Sequence, residues 1–388
     1  MIVSKRNLKR FLRKSLNQPF YAINALRRKL ISLFSYYFFN GYSSYPETIS
    51  LFLTYNCNLR CSMCGYWGKC GFVKQKSAEF IKEELSLPEL ETAIDEVSAF
   101  KPNITLFGGE PLLYRHWIDL VIYIKKKKLR CNIITNGTII KDKVTEIIDS
   151  GLDEIIFSLE GPREIHDQIT QVSGSFDKAI EGLIQINNEK KKLLLKKPYI
   201  NIACTISADN YRFLDEIIDT GSLIGADSIT FHHLSFIDSD TLIKHNDIFK
   251  RYFGIESSDW SGFIRNQIPD IDLEYFISEM RRIKKYKHSI DVFFYPNFTQ
   301  TEIRRYYTDF KFSPSSYNNR CLSPWMTAYI FPDGTVRPCE ELDFSCGNIK
   351  EQSFRRIWNN VTYRNFRKVI KKLKVFPVCS KCTELYRF

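Results

Sequence analysis

Residues 50–64 read SLFLTYNCNLRCSMC, a short apolar run followed by three closely spaced cysteines. The run Ser50–Thr54 predicts a first strand, and Cys57, Cys61 and Cys64 fall in the loop directly after it. Three thiolates can bind three corners of an iron-sulfur cube and leave one iron open to a cofactor or substrate. A structural zinc site needs a fourth ligand, for which Cys70 is the local candidate. The loop therefore predicts a reactive [4Fe-4S] site.

Apolar runs of strand composition recur after this point, each followed by a longer segment with helical spacing. The runs are Ser50–Thr54, Ile104–Phe107, Cys131–Thr135, Ile155–Leu159, Ile200–Ile206 and Ser228–Phe231. Six such alternations predict a parallel sheet with right-handed crossovers. The expected fold is α/β, a partial (β/α)6 TIM-like barrel with active residues at the carboxyl ends of its strands. Helix starts are marked by Ser86 with Glu89, a capping box, and by Ser175 before an apolar run.

Composition divides the chain into four regions. Residues 1–46 form a basic amphipathic arm, 47–235 the barrel, 236–318 a bridging insert rich in Lys, Arg, Tyr and Phe, and 319–388 a small cysteine-rich α+β domain. In the last region Pro332-Asp333-Gly334 predicts a hairpin turn.

The net charge of +12 is concentrated in the arm, where residues 1–46 contain nine Lys and Arg and no acid. The body is close to neutral, which argues against a nucleic-acid partner. The eleven cysteines cluster at spacings typical of metal sites, and the N-terminus is a poor export signal. These features predict a cytoplasmic protein with reduced thiols.

The arm has two competing interpretations. Basic residues at helical spacing, with aromatic residues after them, favour peripheral attachment to an anionic membrane. The alternative is a helical extension packed on the body. The residues concerned are Lys5, Lys9 and Arg13, the apolar set Leu8, Phe11, Leu12 and Leu16, and the run Phe34 to Phe39 after Arg27, Arg28 and Lys29. The longest apolar stretch, 30–39, is too short to span a bilayer.

The three-cysteine loop after the first strand resembles the signature of the radical S-adenosylmethionine (SAM) superfamily over about residues 47–235. The resemblance implies a SAM-binding [4Fe-4S] cluster on the three thiols and cleavage of SAM to a 5'-deoxyadenosyl radical that abstracts hydrogen. It also implies SAM contacts from strand-end residues. These are Gly108, Gly109, Glu110, Asn136 and Ser158. Met63 departs from the family, which usually has an aromatic residue there.

A second set of thiols lies near the C-terminus, at Cys321, Cys339, Cys379 and Cys382. Four thiols suffice for one fully ligated [4Fe-4S] cluster, and a zinc ribbon is the alternative. The surrounding sequence resembles the SPASM or twitch domain of radical SAM enzymes, which implies one auxiliary cluster. Cys346 is a spare thiol or an alternative ligand.

Other candidates receive structural roles. Cys131 and Cys204 lie in predicted strands and are expected to be buried apolar residues. His166 and the pair His232-His233 follow or end strands, and no catalytic role is assigned to them.

The expected function is SAM-dependent hydrogen abstraction. The leading substrate is a sugar or alcohol of cell-surface carbohydrate or small-molecule biosynthesis, with flavodoxin or ferredoxin as the electron donor. Peptide modification is the alternative, RNA modification ranks third, and a non-catalytic metal-stabilised protein at the membrane surface is the non-enzyme hypothesis.

Overall fold

In the computed structural model, which describes residues 19–388, the strands form one nine-stranded sheet. Its order is β7-β6-β5-β4-β3-β2-β1-β8-β9. The strands are β1 Thr48–Phe52, β2 Asn103–Phe107, β3 Arg130–Thr135, β4 Glu154–Ser158, β5 Tyr199–Ile206, β6 Ser228–His233, β7 Asp291–Tyr295, β8 Thr327–Ile330 and β9 Val336–Arg337. Strands β1 to β8 pair with their neighbours in parallel, and β9 is antiparallel to β8. The predicted α/β fold with a partial barrel is confirmed.

Helices cover the sheet and connect its strands. They are α1 Pro19–Phe38, α2 Ala78–Lys82, α3 Leu87–Ser98, α4 Trp117–Lys126, α5 Val144–Asp149, α6 Arg163–Thr170, α7 Ser175–Lys192, α8 Leu214–Leu223, α9 Ser239–Phe253, α10 Leu273–Lys285, α11 Gln300–Tyr306, α12 Ser323–Met326, α13 Phe354–Trp358 and α14 Val361–Leu373. The six predicted strands appear within two residues of their expected bounds, because local apolar runs mark them. Ser86 donates its backbone N–H to Glu89 at 2.7 Å, which confirms the capping box at α3.

Three strands that the six-strand prediction does not contain extend the sheet at its two ends. One, β7, comes from the segment 236–318 and pairs with β6. The other two, β8 and β9, come from the cysteine-rich region, and β8 pairs with β1 in register from Thr48↔Thr327 to Leu51↔Ile330. The predicted turn at 332–334 joins β8 to β9, where Gly334 has φ +88°. Strand β1 is therefore held on both edges.

The helix α1 packs on the body of the protein. Ser32 donates to the carbonyl of Trp325 at 3.2 Å, and the rings of Tyr36 and Trp325 are 4.9 Å apart. Arg28 donates to the carbonyl of Phe100 at 2.6 Å. No helix within 19–388 is long and apolar enough to cross a bilayer. The residues of the arm before 19, including Lys5, Leu8, Lys9, Phe11, Leu12, Arg13 and Leu16, lie outside the described residues.

Arg367 of α14 ties the C-terminal region together from a fully buried position. Its guanidinium donates to the carbonyls of Pro324 (2.8 Å), Trp358 (2.9 Å) and Gly41 (3.1 Å). The group also lies 4.1 Å from the Trp358 ring and 4.2 Å from the Tyr363 ring. Because three separate segments supply these acceptors, one side chain fixes their relative positions.

We expect Arg367→Lys to lower the free energy of unfolding by about 3 kcal/mol, because an ammonium cannot reach all of these buried carbonyls. Denaturant unfolding of the two proteins measures the difference. The adjacent exposed Lys368→Arg is the matched control and should change stability by less than about 0.5 kcal/mol. Equal effects of the two substitutions would contradict the role given to Arg367.

Candidate active site

The three thiols of the first cysteine set lie in the loop that follows β1. Backbone N–H groups of Leu59 and Trp67 donate to the sulfurs of Cys57 and Cys64, each at 3.4 Å. Burial raises the pKa of Cys57 to about 11 and that of Cys61 well above its usual range, and the neighbouring thiols raise both further. Three thiols in one loop, with N–H donors on the sulfurs of Cys57 and Cys64, suit an iron-sulfur cluster.

The neighbouring backbone holds this loop in place. Arg60 and Ser62 donate their N–H groups to the carbonyls of Thr170 and Ile169 at the end of α6, at 3.0 and 2.8 Å. On the other side, a Cβ at Gly262 would lie 1.9 Å from the Gly65 carbonyl oxygen. The segment around 262 therefore closes directly onto the cysteine loop, and only glycine permits that approach.

Gly108 and Gly109 follow β2, where the sequence predicted a close backbone approach to a ligand. In the structure, the groups that closely approach these glycines are backbone atoms of the chain itself. Gly109 donates to the carbonyl of Thr54 at 2.8 Å, and a Cβ on Gly109 would lie 2.2 Å from the carbonyl oxygen of Asn56. Gly108 adopts φ +145°. These glycines therefore let the end of β2 touch the start of the cysteine loop.

The Glu110 carboxylate is buried and accepts three hydrogen bonds from the protein. The donors are the Leu112 N–H at 3.0 Å, the Thr135 hydroxyl at 2.8 Å and the Asn136 N–H at 2.8 Å. Burial raises the pKa of Glu110 to about 7, although these donors favour its charged form. The Glu110 side chain, which the sequence predicted as a SAM contact, thus joins the ends of β2 and β3.

Asn136 connects the end of β3 to the cysteine loop. Its amide donates to the Asn58 side chain at 2.9 Å, and the Asn58 amide donates to Thr138 at 2.8 Å. Ser158 is half-buried at the end of β4. The structure therefore places both residues at the carboxyl end of the sheet, where the sequence expected them.

Glu160, which the sequence analysis did not select, lies just beyond β4. Its carboxylate accepts from the Thr205 N–H at 2.9 Å, and burial raises its pKa to about 7. Its charge also raises the pKa of Cys61. Glu160 could have been selected from the sequence as an acidic residue two positions after Ser158, at the end of a predicted strand.

The four C-terminal thiols line one common cavity. Cys321, Cys339, Cys379 and Cys382 surround it together with apolar side chains from α14 and the C-terminal turns, and Glu384 lies at its wall. Burial raises the pKa of Cys379 to about 12. A donor set of four thiols in an apolar cavity fits a fully ligated iron-sulfur cluster.

The fifth cysteine of this region is separate from the cavity. Cys346 is buried in the core and does not line the cavity. Burial raises the pKa of its thiol, although the nearby Arg367 guanidinium opposes that shift. The four-thiol set therefore does not include Cys346.

Acidic side chains lie between the two thiol sets. Tyr66, two residues after Cys64, donates its hydroxyl to Glu340 at 3.1 Å. The charge of Glu341 raises the pKa of both Cys64 and Cys339, and one of its carboxylate oxygens is buried without a hydrogen-bond partner. Burial raises the pKa of Glu340 to about 7. Glu341 therefore lies near a cysteine of each thiol set.

A buried ion pair lies near Glu341. Arg337 donates to Asp259 at 2.7 Å and lies 2.9 Å from Asp343. Burial raises the pKa of Asp259 to about 6 in spite of the guanidinium. Sequence reasoning missed these residues and the acidic pair. The acidic pair could have been identified in the sequence, because its two carboxylates directly follow Cys339. No sequence pattern near Asp259 indicates its role.

The histidines take structural positions. His166 accepts from the Glu160 N–H at 3.1 Å, and burial lowers its pKa to about 4. His233 is 3.0 Å from the Tyr307 hydroxyl inside a cluster of aromatic rings, where burial lowers its pKa to about 3. Cys131 and Cys204 are fully buried, as predicted.

Two family models match the chain: the Radical SAM superfamily at residues 51–195 and the SPASM iron-sulfur cluster-binding domain at 321–383. Among curated proteins, Fe-coproporphyrin III synthase of Methanosarcina barkeri is 30% identical over 50% of this chain, a match that spans about half (46%) of that relative's length. The cysteine-type anaerobic sulfatase-maturating enzyme of Clostridium perfringens is 22% identical over 84% of this chain and 83% of that protein.

A solved structure shares the fold. The crystal structure of Streptococcus suis SuiB bound to precursor peptide SuiA aligns with a TM-score of 0.61 and 14% identity, covering 92% of this chain and 76% of that one. The matched ranges contain both thiol sets. The chain is therefore an enzyme of the radical SAM superfamily with a C-terminal SPASM domain, and its cofactors are a [4Fe-4S] cluster, SAM and auxiliary iron-sulfur.

Proposed function

We propose that this enzyme modifies a peptide by abstracting a hydrogen atom from one of its residues. The observation that carries the proposal is that both thiol sets are attached to one continuous sheet, with Tyr66, Glu340 and Glu341 between them. A substrate bound beside these residues would lie within reach of both centres.

The relatives support a peptide over a sugar or alcohol. One is named for the maturation of a sulfatase, and the aligned SuiB structure holds a precursor peptide. The names of the compared proteins give no support to the sugar or alcohol substrate expected from the sequence. Fe-coproporphyrin III synthase is 30% identical over 50% of this chain, which makes a tetrapyrrole the second candidate.

The residues of the first site have two kinds of role. Some hold the cluster or the cysteine loop in place, and others are proposed to contact SAM. When bound, the cluster on Cys57, Cys61 and Cys64 and SAM supply a 5'-deoxyadenosyl radical. Gly109 and Glu110 hold the ends of β2 and β3 against the cysteine loop through the hydrogen bonds given above. The SAM contacts assigned to Gly108, Gly109, Glu110, Asn136 and Ser158 remain proposals, and those of the glycines and Glu110 would come from backbone groups.

The four C-terminal thiols suit an electron relay. Since Cys321, Cys339, Cys379 and Cys382 would fill every ligand position of one cluster, no iron would be left open to bind substrate. A cluster held by these thiols would supply an acceptor for the electron of the substrate radical, whose proton would pass to solvent, and ferredoxin or flavodoxin would be the electron donor for SAM cleavage. A net oxidation of the peptide is the simplest outcome.

Thiol variants separate the two centres. We expect the reconstituted wild type to hold about eight irons and each defective variant about four. Cys57→Ala/Cys61→Ala/Cys64→Ala should lose all reductant-dependent 5'-deoxyadenosine. Cys379→Ala/Cys382→Ala should still form the nucleoside but no modified product. Cys346→Ala, the control, should keep about eight irons; loss of iron from this control would contradict the four-thiol assignment.

Deuterium transfer identifies the substrate class. Extract from cells grown in deuterated medium, incubated with the reduced enzyme and SAM, should pass deuterium into 5'-deoxyadenosine, which mass spectrometry detects. Digestion of the extract to free amino acids should abolish the transfer. Transfer that survives digestion, or that follows added Fe-coproporphyrin, would overturn the peptide proposal and leave the radical SAM assignment intact.

The raised pKa of Glu110 predicts a pH dependence. Because burial places the pKa of folded Glu110 at about 7, above its ordinary value of 4.5, the folded protein binds this proton more tightly than the unfolded chain does. The contribution of Glu110 to stability is therefore present at low pH and is lost as the pH rises towards 7. Relative to Glu110→Gln, the wild type should lose roughly 2 kcal/mol of unfolding free energy between about pH 5 and about pH 8.

Denaturant unfolding at several pH values measures this difference. The control is Glu164→Gln on the exposed side of α6, whose stability relative to the wild type should stay constant. A constant difference for Glu110→Gln as well would show that Glu110 is ionised throughout the range.

A further inference from the structure

The helix α1 presents a row of large apolar side chains to solvent, while Ser32, Ser35 and Tyr36 face the protein. Phe34 and Phe38 are 54% and 69% exposed, and Leu30 lies on the same face one turn earlier. Ser32 and Ser35 are buried against the body. A surface helix normally has the opposite arrangement. The exposed stripe therefore needs an apolar or amphipathic partner outside the described structure.

Cationic side chains border this stripe. Lys371 donates to the Tyr37 carbonyl at 3.0 Å, and the Arg364 guanidinium lies 4.4 Å from the Tyr42 ring. The segments 19–46 and 352–383 contain twelve Lys and Arg between them and no acidic residue, and all of these except Arg367 and Lys381 are at least partly exposed. The partner is therefore expected to be anionic as well as apolar.

A second exposed apolar element lies elsewhere in the fold. Residues 190–197 read KKKLLLKK, between the end of α7 and the start of β5. Leu194 is 91% exposed, and Leu193 and Leu195 are exposed beside it. This independent segment therefore shares the character of the α1 stripe, because exposed apolar side chains are bordered by cationic ones in both.

Both elements lie at the same end of the sheet. The turn at 193–195 precedes β5, and α1 packs on Phe100 and Trp325, which precede β2 and β8. Since these strands are parallel, their amino ends share one end of the sheet, opposite the carboxyl ends that carry the cysteine loop. Leu223 and Tyr286, also strongly exposed, precede β6 and β7 at this same end.

Acidic residues close to the 190–197 segment are already paired with lysines. Asp153 is paired with both Lys125 and Lys197, and Glu189 lies 3.4 Å from Lys192. Lys126, Lys128, Lys191 and Lys196 have no ion pair among the described residues.

We propose that the amino end of the sheet docks on an anionic lipid bilayer, with the α1 stripe and Leu193 to Leu195 inserted among the headgroups. The lysines and arginines around them would contact lipid phosphates, and their alkyl chains would lie along the interface. In this orientation the carboxyl ends of the strands face away from the bilayer, so the peptide substrate reaches the active site from water.

Vesicle co-sedimentation of the full-length reconstituted enzyme tests the proposal. We expect binding to phosphatidylcholine vesicles that contain about 30% phosphatidylglycerol and little binding to pure phosphatidylcholine, with weakening in high salt. Phe34→Ser/Phe38→Ser and Leu193→Ser/Leu194→Ser should each lower the partition coefficient about tenfold or more, because each removes two inserted apolar side chains. All variants should still form 5'-deoxyadenosine, which reports an intact fold.

The matched control is Ile243→Ser on α9, a similarly exposed residue on the carboxyl side of β6. It should bind vesicles as the wild type does. Two outcomes would overturn the proposal: vesicle binding that neither double substitution weakens, or a dimer in solution that Phe34→Ser/Phe38→Ser dissociates while vesicle binding is absent. The second outcome would assign the stripe to another copy of the chain.

Discussion

The pairing of β1 with two partners is the constraint on which both metal sites depend. Strand β1 pairs with β2 on one side and with β8 on the other, and the cysteine loop leaves from its carboxyl end. The β8 hairpin leads directly to Cys339. Because the backbone hydrogen bonds of one strand fix both neighbours, the two thiol sets take their relative position from the sheet rather than from a flexible linker.

The polar contacts at the active site mostly serve to join strand ends. Glu110 bonds β2 to β3, and Asn136 bonds β3 to the cysteine loop. Groups that would bind small molecules in an open cleft are thus satisfied within the protein. The consequence is a rigid rim, which suits radical chemistry because a reactive intermediate must be held in one geometry.

Much of this arrangement could be predicted from the sequence, because its signals are local. Three thiols in eight residues and six strand-helix alternations lie within short windows, so spacing and periodicity reveal them. Asp259 and Arg337 meet across 78 residues of sequence, and β8 joins β1 from the far end of the chain. No local pattern encodes such pairings. The function of α1 was ambiguous for the same reason, since which face it buries depends on residues around 100 and 325.

The shared sheet also has a consequence for truncation and recombination of the chain. If residues 321–388 were removed, β1 would change from an interior strand to an edge strand with unpaired backbone groups along one side. A truncated barrel would therefore tend to aggregate rather than persist as a simpler enzyme. The C-terminal region is therefore not an independent domain that can be exchanged between proteins. Recombination that separates it from the barrel is expected to yield insoluble protein.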